Sequence, residues 1–224
     1  MSWHARIYCG IVITAGVAVL AHALSHLQTT DRVRMAVYLL SAAVLATMKL
    51  RVPGLKATVS GACVVIFTGV AGLSISETVL IGVATGIGQC LWRPLYTPRP
   101  VQVVFSIATL VISSAVTFRC YHWLGGNAGI HSTSVLIFCE AGNYFLTNTA
   151  LIAGVLAVTE IRPPMQIWTQ LYLWTFPHYV IFSVLGSLIN DASPNVNWLF
   201  CLAAMPVILM LNHKRMSRVQ ATAS

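Results

Sequence analysis

Charged side chains are scarce in this chain. Lys, Arg, Asp and Glu make up 8% of its 224 residues, only five residues are acidic, and 57% are hydrophobic. Soluble globular domains carry roughly 25% charged residues, and the mean hydropathy of +0.79 is far above their range. The composition excludes an ordinary soluble domain and indicates an integral membrane protein whose main partner is the lipid bilayer.

Enzymatic signatures are also missing. The sequence contains no GxSxG, Walker A or paired-carboxylate pattern, each of which would indicate nucleophilic, nucleotide-dependent or acid-base chemistry. Only one of the five acidic residues, Glu140, lies deep within an apolar run. We therefore predict no enzymatic activity and no catalytic residue.

Disulfide and metal-binding patterns are absent as well. The six cysteines occur singly, without CxxC spacing, so we expect buried and reduced side chains. No HExxH or Cys/His pattern occurs, yet His22, His26, His122 and His131 are predicted on the same side of the membrane. Because imidazole suits zinc, copper and iron, a metal or haem site there stays open, although we predict no metal and no cofactor.

Eight apolar segments, separated by short polar or proline-containing breaks, make up the chain. About 17 to 25 apolar residues span the hydrocarbon core as a helix, and open sheets cannot satisfy their backbone groups there. We predict an all-α polytopic bundle of about eight transmembrane helices in one domain over residues 1–212, followed by a short basic cytoplasmic tail over 213–224.

Two of these segments, Ala57 to Leu73 and Thr78 to Trp92, are short. If they form a hairpin or a partly re-entrant pair, the count falls to seven or six. Ser74 and Glu77 between them have the spacing of a capping box. Prolines mark several predicted helix starts, and Pro177 inside the seventh segment predicts a bend.

Basic residues lie in the breaks and form no continuous stripe, which does not favour a nucleic-acid partner. If the N-terminus is cytoplasmic, ten Lys and Arg residues lie inside and three lie outside. This positive-inside bias predicts a multi-pass protein of the cell (inner) membrane with both termini in the cytoplasm. A secretory signal cleaved after Ala21-x-Ala23 is the alternative interpretation of the N-terminus.

The sixth segment, "LIFCEAGNYFLTNTALIAGVLAV", carries polar residues where lipid would favour apolar ones. At 100° per residue, one face of its helix holds Glu140, Asn143, Tyr144 and Thr147. An intramembrane acid is expected to face the bundle interior, and His178 is predicted at a similar depth. We expect these five residues to form a ligand-binding face, with Glu140 and His178 in contact, or the amides to serve as interhelical packing contacts.

Five phrases of the sequence carry a resemblance to a known family: "MKLRVPGLKATVS", "SISETVLIGVATGIGQCLW", "TPRPVQVVFSIA", "NTALIAGVLAV" and "YLWTFPHYVI". Over roughly residues 33–212 the chain resembles the N-terminal multi-helix membrane domains of bacterial HD-type cyclic-dinucleotide phosphodiesterases and GGDEF diguanylate cyclases. The resemblance implies a sensory input region. No HD or GGDEF segment follows Leu211 in this sequence, so we expect any output to come from a cytoplasmic signalling partner.

Three functions are compatible with these features. The first is a membrane sensory or small-molecule-binding module that signals through its cytoplasmic loops. The second is a small-molecule transporter or substrate-capture subunit, in which the same cavity holds cargo. The third is a structural membrane scaffold, which places the fewest demands on the polar residues.

Overall fold

The computed structural model describes residues 3–27, 31–51, 58–91, 99–160 and 163–192. These residues form helices and one short pair of antiparallel strands, so the predicted helical class is confirmed. The helices are α1 Trp3–Ser25, α2 Arg32–Ala46, α3 Cys63–Gly72, α4 Ile75–Leu91, α5 Pro100–Gly126, α6 Thr133–Glu160, α7 Pro164–Leu171 and α8 Phe176–Ala192. The strands are β1 Lys49–Arg51 and β2 Thr58–Ser60.

Among the described residues, four helical stretches are long and apolar enough to cross a membrane: Trp3–Ser25, Pro100–Gly126, Thr133–Glu160 and Pro164–Asp191. They indicate a membrane-embedded bundle. At a rise of about 1.5 Å per residue, α2, α3 and α4 reach roughly 22, 15 and 25 Å, less than a hydrocarbon core of about 30 Å. The predicted eighth segment and the tail over 213–224 lie outside the described residues.

The two short segments form a hairpin, as one of the predicted alternatives had it. The capping box at its turn is present: the backbone N–H of Ser74 donates to Glu77 Oε2 at 3.1 Å, and the N–H of Glu77 donates to Ser74 Oγ at 3.3 Å. The segment boundaries differ, because residues before Cys63 form β2 instead of helix. Lys49 pairs with Ser60 and Arg51 with Thr58, a strand pair that the sequence analysis did not predict.

The stretch Pro164–Asp191 is broken between α7 and α8 by a 3₁₀ turn at Leu173–Thr175. Pro177, the second residue of α8, has no N–H, and its ring is incompatible with a helical carbonyl four residues earlier. The predicted bend at Pro177 is therefore found as a break just before it. Pro100 and Pro164 occupy the first positions of α5 and α7, where a missing N–H costs no hydrogen bond.

Helix α3 lies at the centre of the bundle and contacts α4, α5 and α8. Its residues from Val65 to Val70 are all buried. Gly186 of α8 permits the close approach, because a Cβ at that position would lie 3.0 Å from Phe67 Cβ and 3.0 Å from the backbone N of Thr68. A short helix whose residues are mostly buried thus packs among longer helices.

Candidate functional site

The buried face of α6 differs from the predicted one. Its buried residues are Glu140, Ala141, Tyr144, Phe145, Asn148, Thr149 and Ala153. At 100° per residue, Asn148 lies about 80° from Glu140 towards the centre of this face, whereas Asn143 lies about 60° away on the other side. Asn143 and Thr147 are half-buried at the edge. The Asn143 amide donates to the carbonyl of Cys139 in its own helix at 3.0 Å.

Glu140 contacts α8 through Ser183. The Ser183 hydroxyl donates a short hydrogen bond to Glu140 Oε2, and both residues are buried. The other carboxyl oxygen, Oε1, is buried without a hydrogen-bond partner among the described residues. Glu140 is therefore part of the α6–α8 interface.

The structure shows no hydrogen bond or ion pair between Glu140 and His178, and Glu140 Oε1 and His178 Nδ1 are both buried without a partner among the described residues. His178 precedes Ser183 by five residues of α8, which corresponds to about 7.5 Å along the axis and about 140° around it. The prediction assumed a continuous helix from residue 165. The break before Pro177 interrupts that helix.

The four histidines predicted on one side do not assemble into a site. His22 and His26 are adjacent on α1, with ring centroids 4.8 Å apart. His122 makes a hydrogen bond of 2.9 Å to the carbonyl of Val70, which joins α5 to α3. Within the described part of the chain, no group of three or more potential metal ligands occurs. The five cysteines described there are free, and Cys201 lies outside it.

A cavity of about 710 Å³ opens between the helices, within the range of roughly 300 to 1,000 Å³ typical of ligand pockets. Its α6 wall is formed by residues at helical spacing: Tyr144, Asn148, Ile152, Val155, Leu156 and Thr159. At about 1.5 Å per residue this wall extends for roughly 22 Å. The α5 residues that line the cavity have the same helical spacing, from Val101 and Gln102 to Thr109 and Leu110.

One end of the cavity is buried and polar. It is lined by Cys63, Thr109, Tyr144, Asn148 and Tyr179, none of which is more than 9% exposed. The Asn148 side chain lies beside the Tyr179 hydroxyl. Asn148 Oδ1 and Thr109 Oγ1 have no hydrogen-bond partner among the described residues. Like the Tyr144 hydroxyl in the same wall, these two atoms lack the partner that buried polar groups normally have.

The other end of the cavity is exposed and basic. Arg6 in the first turns of α1 and Arg99 immediately before α5 both line it, together with Gln102 and Thr159. We call this end, where α1 and α5 begin and α4 and α6 end, the basic end. Neither guanidinium pairs with an acidic side chain of the described residues. Between the two ends the wall is largely apolar, with Phe105, Ile152 and Val155.

Of the five predicted site residues, only Tyr144 lines this cavity. Sequence reasoning missed Arg6 and Arg99 because it treated basic residues only as topology signals. The sequence did contain one indication. Arg99, Gln102 and Ser106 are separated by three and then four residues, which is the spacing of side chains on one face of a helix.

Comparisons of the chain with protein-family models, with curated proteins and with solved structures found no match.

Proposed function

We propose that this protein is a membrane sensory module that binds a small molecule in the cavity between α5 and α6. The observation that carries the proposal is the cavity together with three buried polar atoms of its lining residues that lack a partner among the described residues: Asn148 Oδ1, Thr109 Oγ1 and Tyr144 Oη. An apolar pocket with a few convergent polar groups is the usual form of a ligand site.

The proposed setting is the cell membrane, crossed several times, with both termini in the cytoplasm. The excess of Lys and Arg on one side supports this orientation. In this proposed orientation the basic end of the cavity lies at the cytoplasmic face and the start of α6 lies at the opposite face. Because the two short segments form a hairpin, the proposed total is six or seven spans, which includes the segment beyond Asn195.

A sensory role requires that the ligand change the arrangement of helices. The cavity is lined by residues of α1, α3, α4, α5, α6 and α8, so an occupant that filled it would contact six helices. A ligand that fits one arrangement better than another shifts the population toward it. The resemblance to the membrane domains of bacterial signalling proteins supports the same role, with a cytoplasmic partner receiving the signal.

The buried contact between Glu140 and Ser183 supports the proposal from outside the cavity. It joins α6, which forms the long wall of the cavity, to α8, which contributes Tyr179. A change in the spacing of these helices would stretch or shorten this contact. In this proposal Glu140 serves as an interhelical contact whose strength depends on the helix arrangement.

The test is native mass spectrometry of the gently solubilised protein, which detects a retained small molecule directly. Val155→Trp places a large ring in the cavity wall, and Leu146→Trp places the same ring on an outer position of α6 that is 53% exposed. We expect a co-purifying molecule in the wild type and the Leu146→Trp variant and its loss in the Val155→Trp variant. If Val155→Trp does not fold, Ile152→Phe replaces it in the same test, because it reduces the volume of the cavity by a smaller amount.

A transport assay separates the sensor from the transporter. The retained molecule, isotopically labelled, is loaded into proteoliposomes that contain the protein. Binding without exchange across the bilayer agrees with a sensory module. Exchange that depends on the open cavity would assign the protein to transport, and equal retention by all variants would contradict the cavity as the binding site.

A further inference from the structure

We infer that the cavity binds an anionic amphiphile: a carboxylate or phosphate group held by Arg6 and Arg99, followed by an apolar chain that extends along α6 toward Tyr144. This inference rests on the proposed function, because it assigns a chemical class to the occupant of the same cavity. It joins three observations, which concern the charge, the length and the surface of the cavity.

The charge of the open end is the first observation. Arg6 of α1 and Arg99, which immediately precedes α5, line the same cavity and have no acidic partner in the described part of the chain. A planar guanidinium presents several donors that match carboxylate and phosphate oxygens. None of the described residues that line the cavity is acidic.

The length of the cavity is the second observation. From Thr159 near the basic end to Tyr144 at the buried end, the α6 wall covers roughly 22 Å. One leaflet of a bilayer, half of a hydrocarbon core of about 30 Å, is roughly 15 Å deep. The cavity is therefore long enough for an acyl-length chain below an anionic group, and a small anion alone would leave most of it empty.

The surface of the middle section is the third observation. Phe105 of α5 and Ile152, Val155 and Leu156 of α6 form an apolar passage between the arginines and the polar buried end. Burial of a methylene group contributes about 0.8 kcal/mol, so a chain in this passage would add substantially to the affinity. The polar end then suits an oxygen-bearing group at or near the far end of that chain.

The experiment measures binding of four probes to the purified full chain in a nonionic detergent by native mass spectrometry. Hexadecanoate carries both the anion and the chain, hexadecan-1-ol carries the chain alone, and acetate carries the anion alone. Phosphatidylglycerol tests whether a membrane lipid is the source of the anion. Each probe is titrated against the wild type, the double variant Arg6→Gln/Arg99→Gln and the control Arg119→Gln, which removes one exposed charge from the other end of α5.

We expect one molecule of hexadecanoate or of phosphatidylglycerol per chain, and whichever binds identifies the source. The double variant should weaken that binding at least about tenfold, as the loss of charge-assisted hydrogen bonds predicts. Arg119→Gln should leave it unchanged. Hexadecan-1-ol and acetate should each bind at least about tenfold more weakly than the favoured anionic probe.

Two results would overturn the inference. One is equal binding of hexadecanoate and hexadecan-1-ol, and the other is an equal effect of the double variant and Arg119→Gln. If hexadecan-1-ol binds well and Val155→Trp abolishes its binding, the cavity is a ligand site without anion selectivity, and the proposed function stands. If no probe binds and no molecule co-purifies with the wild type, both proposals fail.

Discussion

Ser183 of α8 donates a hydrogen bond to the carboxyl group of Glu140 on α6, and both side chains are buried. An acidic residue in the centre of a membrane helix is costly to insert and normally faces the interior of the bundle. Here the interior partner is a hydroxyl, and only one carboxyl oxygen is paired among the described residues. This arrangement leads to the first prediction.

We expect Ser183→Ala to lower the free energy of unfolding by about 1 kcal/mol, because it leaves a buried carboxyl group without its donor. The double variant Glu140→Leu/Ser183→Ala should recover this loss, since removal of both polar partners avoids an unpaired group. Denaturant unfolding in detergent micelles measures both values. Ser187→Ala, also on α8, is the control, and a double variant less stable than Ser183→Ala would contradict the interpretation.

The capping box between α3 and α4 provides the second prediction. Besides donating its N–H, Ser74 donates its hydroxyl to Glu77 Oε2 at 2.9 Å, and Glu77 also lies 4.0 Å from Arg34 of α2. We expect Ser74→Ala to lower the unfolding free energy by about 1 kcal/mol, the typical effect of losing an N-terminal cap. Ser134→Ala, at an exposed position of α6, should have little effect. Equal losses in the two variants would show that the cap does not stabilise the hairpin.

The elements that the sequence predicted correctly are those set by local chemistry. Ser74 and Glu77 specify a capping box whatever surrounds them, and Pro100 and Pro164 specify helix starts because their rings fix φ. The long apolar helices follow from the same kind of local argument. Their existence could be predicted without knowledge of their neighbours.

The candidate site was harder to predict because it depends on contacts between distant segments. Asn148 and Asn143 are the same residue type in the same helix, and only the packing of α6 decides which of them is buried. Ser183, and not His178, donates the hydrogen bond to Glu140, and the apolar pattern gave no sign of the 3₁₀ turn that breaks the helix before Pro177. Arg6 and Arg99 are 93 positions apart in the sequence, and nothing local indicates that they line one cavity.

The third prediction concerns glycine substitutions, which we expect to change the stability of the protein in opposite directions at two positions. A Cβ at Gly186 would lie 3.0 Å from Phe67 Cβ, whereas a Cβ at Gly142 of α6 would have no atom within 4 Å. We expect Gly186→Ala to destabilise the protein by about 1 to 3 kcal/mol through overpacking against α3. Gly142→Ala should stabilise it by roughly 0.5 to 1 kcal/mol through helix propensity. Thermal unfolding in detergent tests both, and destabilisation by Gly142→Ala would contradict the described packing.

The fourth prediction concerns the orientation in the membrane. His131 lies in the exposed connection between α5 and α6, and Met165, at the start of α7, is 65% exposed near the opposite end of α6. The positive-inside bias predicts that His131 lies outside the cell and Met165 in the cytoplasm. We expect His131→Cys, in a cysteine-free background, to react with a membrane-impermeant maleimide on intact cells. Met165→Cys should react only after permeabilisation.

The reverse labelling pattern would reverse the orientation of the protein and also the side of the membrane to which the cavity opens. The basic end would then face the outside, where Arg6 and Arg99 would meet extracellular anions in place of cytoplasmic ones. Labelling of both positions from one side would require that α6 does not span the membrane, although its 28 residues extend for roughly 42 Å. The orientation assay therefore decides from which side an anionic amphiphile would have to enter.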